Sequence, residues 1–187
     1  MIPMKQGLEV KTMANLLLAK NLATSLGGSS IALSTKADRI RFHQIRAMSK
    51  AILIGGQSYR NEPYANVGLP LYISSRTLTQ GRSGNQYIFN QDPAWLVNQA
   101  RKEQGSPVLI EGGVNFISTL IAQSLIELIY ITRVDQDGDC HFFDEGPFLS
   151  NYERQTIESV AGCTFETWQV KSRRSDQKNP TQSKCNS

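Results

Sequence analysis

The stretch Pro107-Val108-Leu109-Ile110-Glu111-Gly112-Gly113-Val114 restricts what this chain can become more than any other. Three apolar residues end in a carboxylate, two glycines follow, and an apolar pattern with helical spacing opens at Val114. Val114, Ile117, Leu120, Ile121 and Leu125 fall on one face of that helix. The unit reads as a buried strand feeding a helix through a turn without side chains, and it belongs in a layered α/β domain. A helix N-terminus offers free N–H groups and partial positive charge, which suits a phosphate, and paired glycines let a ligand approach the backbone. Glu111, at the carboxyl end of the strand, would face the crevice above it. A tight strand-to-helix turn that binds nothing has the same sequence.

The rest of the chain repeats the alternation. Residues 1–13 lack periodicity and read as an N-terminal extension, followed by a first strand over Leu16 to Ala23. Ser25-Leu26-Gly27-Gly28-Ser29-Ser30 breaks it with a loop. Thr35-Lys36-Ala37-Asp38 matches a capping box and opens a helix to about Met48, with Ile40, Phe42, Ile45 and Met48 expected inward. Ala51 to Ile54 is a short, fully apolar run ended by Gly55-Gly56, as in a buried parallel strand. Gln57 to Gly68 is polar, with Pro63 and Gly68 as breakers. Leu71 to Ile73 and Gln86 to Asn90 read as strands, and Asp92 caps a helix with Pro93 at its first position and Gly105 just past its end. After the helix at Val114 come strands at Leu128 to Val134 and, at an edge, Thr164 to Val170, with no clear helix between them. The expectation is an α/β domain over 14–170, three-layered and mostly parallel, with an antiparallel C-terminal strand.

Charge narrows the function classes. The chain carries a net +4. Residues 171–187 hold five basic side chains against Asp176 alone, so the remaining 170 residues balance at 15 basic and 15 acidic. A neutral body does not track a nucleic-acid backbone, and the basic tail, rich in Ser, Gln and Asn, reads as disordered. The longest apolar run, near Leu120 to Ile131, is broken by Gln123, Ser124 and Glu127 and is too short to span a bilayer. No charged start leads into an apolar segment, so no signal peptide is expected. Cys140, Cys163 and Cys185 are odd in number and lack metal spacing, which favours a reducing cytoplasm and no metal site.

No G-x-G-x-x-G fingerprint and no Walker lysine occur, and neither His43 nor His141 has a nucleophile at triad spacing. Both histidines read as structural or exposed. The Asp135-Gln136-Asp137-Gly138-Asp139 run lacks the later glutamate of a calcium loop and reads as a solvated turn. What remains is a set of strand ends: Gly55-Gly56 with Ser58, Ser74-Ser75-Arg76, and Glu111-Gly112-Gly113. In an open α/β sheet such ends form the ligand crevice. Hydroxyls, an arginine and a glycine-opened helix suit a phosphate-bearing dinucleotide. Arg76 beside Ser75 would neutralise a ribose 2′-phosphate and favour NADP over NAD; as a plain surface arginine it would do neither.

Four pieces occur in one order: Ala23-Thr24-Ser25-Leu26, Phe42-His43-Gln44-Ile45-Arg46-Ala47, Ala51-Ile52-Leu53-Ile54-Gly55 and Glu111-Gly112-Gly113. With them the chain resembles the reductase half of the bifunctional riboflavin-biosynthesis deaminase-reductase, over roughly residues 14–145. The resemblance implies a dihydrofolate-reductase-like fold, a homodimer, and NADPH-dependent reduction of a 5-amino-6-(5-phosphoribosylamino)uracil. Hydride would pass to the sugar C1 of the ring-opened imine and give the ribityl product. By position it implies Thr24, Ser58, Asn61 and Ser75 as cofactor contacts, with Gly112, Gly113, Val114, Asn115 and Phe116 around the pyrophosphate. It implies Ser30, Arg46 and Glu111 as substrate contacts, Arg46 through the phosphate and Glu111 as the catalytic side chain.

The chain also departs from the family pattern. Gly27 stands where the family has the aspartate of Ser-Leu-Asp-Gly, the loop after it is shorter, and its tryptophan is missing. The segment Ser58 to Pro63 is one residue short, and a second arginine beyond the proline is absent, with Arg60 as the nearby substitute. These departures fall on the substrate side. They leave open a reductase acting on a pterin, folate-like or other heterocycle, or a nucleotide-binding protein without catalysis. The deaminase half has no counterpart in the sequence, so zinc-dependent deamination is expected of another protein.

Overall fold

Side-chain alternation along the strands decides the layers. The computed structural model describes residues 9–64 and 66–171. Its elements, in chain order, are β1 (Thr12–Leu18), β2 (Ala23–Ser25), α1 (Lys36–Ala47), β3 (Ala51–Gly55), α2 (Gly56–Asn61), β4 (Leu71–Ser74), β5 (Gly81–Ser83) and β6 (Gln86–Phe89). There follow α3 (Pro93–Gln104), β7 (Val108–Ile110), α4 (Val114–Ala122), β8 (Leu128–Val134), β9 (Cys140–Phe142), α5 (Glu145–Asn151), β10 (Tyr152–Val160) and β11 (Cys163–Val170). Nine strands make one sheet in the order β10-β11-β8-β1-β7-β3-β4-β6-β5, and β2 pairs with β9 separately. β1, β3, β4, β6, β7 and β8 run parallel; β5 and β11 run against them, and β10, antiparallel to β11, again points the same way as β8.

Successive residues of the central strands enter different cores, as a period of two requires. Ala14, Leu53, Ile110 and Ile129 pack in one cluster with Val97 of α3, Leu120 of α4 and Phe148 of α5. Met13, Leu109, Leu128 and Tyr130 turn the other way, onto Ile45 of α1. Ile52, Ile54, Leu71 and Ile73 pack on that side with Tyr64 and with Tyr59 of α2. Helices therefore cover both faces, and the three-layer, mostly parallel α/β architecture expected from the sequence is present. Burial on both faces is why β3 and β7 read as unbroken apolar runs.

Several expectations need correction. The first strand lies at Thr12–Leu18, not Leu16 to Ala23, and so begins inside the segment read as an extension. Lys20 and Asn21 instead make a turn, which the Asn21 amide ties to the Gly138 carbonyl at 2.9 Å. The polar stretch, to which the sequence assigns no element, begins within the short helix α2, too short for an apolar period to show. The antiparallel part is larger than one strand, and β11 is not an edge. β10 covers it, preceded by α5. β10 escapes notice because most of its side chains are exposed and a bulge at Arg154/Thr156 breaks its alternation. The expectations for residues 1–8 and 172–187, including a disordered tail, lie outside the described residues.

Helix α1 faces inward differently from its apolar pattern. Thr35 Oγ accepts from the Asp38 N–H at 3.2 Å, as an N-cap should. The return half of the capping box is not made, because the Asp38 carboxylate takes the Ser34 hydroxyl at 2.6 Å. Ile45 is buried, but Ile40 is 53% exposed and Met48 is exposed too, while Asp38 and Arg41 go inside. Arg41 explains the rotation. Its guanidinium donates to the carbonyls of Ile131 at 3.0 Å and Glu166 at 2.8 Å, bridging β8 and β11, and lies over the Phe165 ring. Burial lowers its pKa from the ordinary arginine value. A lysine cannot serve both carbonyls from one ammonium in the same plane. Arg41→Lys should therefore cost about 1–2 kcal/mol in denaturant melts. An unchanged midpoint would show that the bridge contributes nothing.

Candidate active site

The parallel strands all end toward one edge of the sheet, and the turns there line a cleft of about 1050 Å³. That volume stands at the upper end for small-molecule sites, enough for two ligands side by side. Each residue that the sequence singled out lines it: Thr24, Ser30, Arg46, Ser58, Asn61, Ser75, Arg76, Glu111, Gly112, Gly113, Val114, Asn115 and Phe116. What each side chain does there differs.

Glu111 sits at the floor, just past β7, with its side chain 3% exposed. Both its oxygens are taken by Arg46 of α1, Nε to Oε1 at 2.7 Å and Nη2 to Oε2 at 2.6 Å. Phe42 lies under the Arg46 guanidinium at 4.1 Å. The buried Tyr64 donates its hydroxyl to the Glu111 carbonyl at 3.3 Å. Burial raises the Glu111 carboxyl from its ordinary value, against the pull of Arg46, and the partnership with Glu111 raises Arg46 against its own desolvation. The two shifts point opposite ways, burial favouring a neutral Glu111 carboxyl and the pairing favouring a charged Arg46, and the contact geometry decides between them. The bidentate geometry holds both charges, and the carboxylate persists there because the guanidinium is locked onto it.

At the other wall, the turn after β3 meets the turn after β7. Ser58 Oγ accepts from the Gly113 N–H at 3.1 Å, which sets their separation. Gly113 caps α4 without any side-chain hydrogen bond, so the first N–H groups of α4 stand open to the cleft. At Gly112 a Cβ would lie 2.9 Å from the Phe116 ring, so only glycine lets the turn close on that side chain. Phe116 itself belongs to the core, and its contribution to the cleft is mainly backbone. Ser75 is buried, and its hydroxyl accepts from the N–H groups of Thr77 at 3.2 Å and Leu78 at 3.1 Å. It shapes the loop that carries the exposed Arg76. Arg60 reaches Thr77 at 3.3 Å and is not among the cleft-lining residues.

The loop around Gly27 is tied to β9 and α2 by backbone and side-chain hydrogen bonds. The Gly27 N–H donates to Asp139 Oδ2 at 2.8 Å, and that bond is the main reason the Asp139 pKa is lowered. Thr24 Oγ donates to the His141 carbonyl at 2.9 Å. The Ser30 N–H donates to Glu62 Oε1 at 2.7 Å, which fixes the glycine loop against the end of α2.

Sequence reasoning missed Arg39, Phe42, His43, Tyr64 and His141 as cleft residues. Arg39, His43 and Arg46 stand at i, i+4 and i+7 on α1, one helical face, so a search for polar rather than apolar periodicity would have found them. His141 is brought in by the β2–β9 pairing, bonded to Ser25 Oγ at 3.0 Å and to Gln57 at 3.1 Å. Nothing in its spacing signals that.

The family model of the RibD C-terminal domain matches residues 22–134. Among curated protein sequences no significant match is found. Solved structures share the fold. A pyrimidine reductase-like protein from Corynebacterium diphtheriae aligns with a TM-score of 0.69 at 15% identity, over 88% of this chain and 93% of that one. RibD from Acinetobacter baumannii aligns at 0.67 and 12% identity, over 87% of this chain and 58% of that one. The Thermotoga maritima deaminase/5-amino-6-(5-phosphoribosylamino)uracil reductase aligns at 0.66 and 10%, over 86% and 56%. The chain thus spans little more than half the length of the last two proteins.

Proposed function

We propose, from the premise that this chain belongs to the family of RibD C-terminal domains, that it is an NADPH-dependent reductase of a phosphorylated ribosylamino-pyrimidine. Its reaction would convert the ribosyl moiety of a 5-amino-6-(5-phosphoribosylamino)uracil to the ribityl form. One observation carries the reading: an uncapped α4 N-terminus opens on the same cleft as the buried Arg46–Glu111 pair.

The residues present suit a dinucleotide phosphate. Open N–H groups at Val114 and Asn115, a flat approach over Gly112-Gly113, and the Ser58 hydroxyl beside them form an anion-binding turn. Asn61 and Thr24 extend the same wall, and Arg76 offers a guanidinium where a 2′-phosphate would need one. When bound, NADPH supplies the hydride that reduces the sugar C1.

The chain's own part is orientation and charge. Arg46 holds both Glu111 oxygens at one rotamer, leaving the second lone pair of each to meet a substrate N–H or O–H from a fixed direction. The Ser30 backbone, pinned by Glu62, closes the substrate end. The low-dielectric floor strengthens any charge contact made there.

NADPH oxidation, followed at its absorbance band with the phosphoribosylamino-pyrimidine supplied, tests this reading. Oxidation should require that substrate and fail with NADH. Arg76→Ala should reduce the preference for NADPH over NADH by about 10- to 100-fold. NADPH binding without turnover would move the substrate to another heterocycle, in line with Gly27 in place of the family aspartate. The absence of both NADPH binding and turnover would overturn the proposal.

A further inference from the structure

Reducing a C=N bond takes a proton as well as a hydride, and Glu111 does not supply it. As a carboxylate locked onto Arg46, it only accepts hydrogen bonds. Tyr64 keeps its hydroxyl on the Glu111 carbonyl, and burial raises that phenol well above its ordinary value. The other cleft carboxylates are acceptors too: Asp38 from the Ser34 hydroxyl, Glu62 from the Ser30 N–H, Asp92 from the Trp95 N–H. Among the described residues no lysine lines the cleft, and a guanidinium does not release its proton. That leaves His43 and His141, of the one side-chain type that ordinarily takes up and gives back a proton near neutrality.

The two rings are held differently. His43 is exposed on α1, and its ring meets the Phe42 edge at 5.7 Å without a hydrogen bond among the described residues. His141 is fastened at three points. Its carbonyl accepts from Thr24 Oγ at 2.9 Å, Nδ1 meets Ser25 Oγ at 3.0 Å, and Nε2 meets the Gln57 amide at 3.1 Å. Its φ is 57°, in the left-handed region that few residues other than glycine adopt. Such a conformation lasts where the surroundings over-determine it, and active sites collect them. The ring also stands between the two proposed halves of the cleft. Thr24, and Ser58 next to Gln57, belong to the cofactor wall, while Ser25 leads into the loop that ends at Ser30.

The same hydrogen bonds set the tautomer. Ser25 Oγ donates its one proton to the Cys140 carbonyl at 3.1 Å, so it faces the ring as an acceptor and Nδ1 carries the hydrogen. Nε2 is then the nitrogen that gains and loses a proton, and in the neutral ring it accepts from Gln57. We infer that His141 is the general acid of the reduction, giving its Nε2 proton to the substrate nitrogen, with Ser25 and Gln57 as its positioning residues. This rests on the proposed reading in that it takes the reduced group to be a ring-opened imine. As hydride reaches C1 a C–H bond forms, the C1=N π bond breaks, and its electron pair goes to nitrogen. That nitrogen takes the proton from Nε2. The substrate gains two electrons and the dinucleotide loses them, and the neutral ring, exposed at the cleft wall, recovers its proton from water.

The titratable groups beside the ring are Asp139 and the Cys140 thiol of its own turn, while β2 and α2 present the uncharged Thr24, Ser25 and Gln57. Nitrogen-15 spectra of the full chain, which holds two histidines, read the tautomer, and His43→Gln leaves His141 alone in them. The neutral ring should carry its hydrogen on Nδ1, and Ser25→Ala should weaken that preference. Turnover of the phosphoribosylamino-pyrimidine is then followed against pH. Wild-type kcat should fall as pH rises and the ring loses its proton. His141→Asn should lower kcat by about 10²- to 10⁴-fold and abolish that alkaline fall, with KM and NADPH affinity kept. Asparagine tolerates the left-handed backbone, and His141→Gly, which suits it better, separates lost chemistry from a folding defect. Wild-type kcat in both variants, or a neutral ring with its hydrogen on Nε2, overturns the assignment. So does an equal loss of NADPH binding and turnover, which would make the ring a wedge that holds α2. Wild-type protein that binds NADPH but does not reduce this pyrimidine fails the proposed reading itself, and the role of His141 falls with it.

Discussion

Arg46→Ala should lower the stability of the fold by about 3–5 kcal/mol and remove turnover. The cost comes less from the lost attraction than from Glu111, whose side chain is left almost wholly buried without its partner. A domain of this size starts with about 5–15 kcal/mol, so the variant should still fold at 25 °C, with a melting temperature roughly 10–15 °C lower. The penalty depends on pH in a defined direction. Burial already raises the Glu111 pKa, and Arg46 is the main group opposing it. Without Arg46 the carboxyl in the fold binds a proton more readily than it does in the unfolded chain. Its contribution is then favourable below the unfolded value of about 4.3 and is lost as pH rises through the higher folded value. Denaturant melts of Arg46→Ala against wild type should show a smaller gap at pH 5 than at pH 7.5. An equal gap at both would mean that Glu111 keeps its charge unaided.

A double replacement separates structure from chemistry. Arg46→Leu with Glu111→Leu removes both charges together and fills similar volume, so much of the lost stability should return. Turnover should not. A double variant that reduces substrate at the wild-type rate would show that the pair is only a structural device and would remove Glu111 from the site.

Gly56→Ala should weaken NADPH binding by more than tenfold and cost about 1–3 kcal/mol of stability. A Cβ at Gly56 would lie 2.6 Å from Ser75 Oγ and 2.8 Å from Ser75 Cβ, closer than real side chains come. Ser75 cannot swing aside cheaply, because its hydroxyl accepts from the Thr77 and Leu78 N–H groups. The added methyl must therefore push apart the turns after β3 and β4. Those turns carry Ser58 and Arg76, the two sides of the proposed dinucleotide wall. Calorimetry with NADPH and denaturant melts check the two parts. Gly56→Ala combined with Ser75→Gly should relieve the overlap and recover stability. Undiminished NADPH affinity in Gly56→Ala would show that the wall does not bind the cofactor.

Local chemistry in the sequence was enough for the elements whose signals need no partner. β3 and β7 are apolar throughout because both faces of the sheet are covered, and α3 has its Asp92 cap, its proline and its Gly105 stop in plain view. The strand ends Gly55-Gly56, Ser74-Ser75-Arg76 and Glu111-Gly112-Gly113 could likewise be read as one crevice, since parallel strands end on the same side. Tertiary structure alone decided the rest. Whether α1 turns Ile40 or Arg41 inward depends on the strand carbonyls beneath it, which belong to residues 90 and 125 positions away. β10 is a strand because β11 gives it hydrogen bonds, not because its own exposed side chains ask for one. Arg46 and Arg39 are the same residue type on the same helical face. Only the arrival of Glu111, 65 residues later in the chain, pairs the first with a carboxylate and leaves the second without a side-chain partner among the described residues, because a buried carboxylate must be neutralised by whatever cation the fold places beside it.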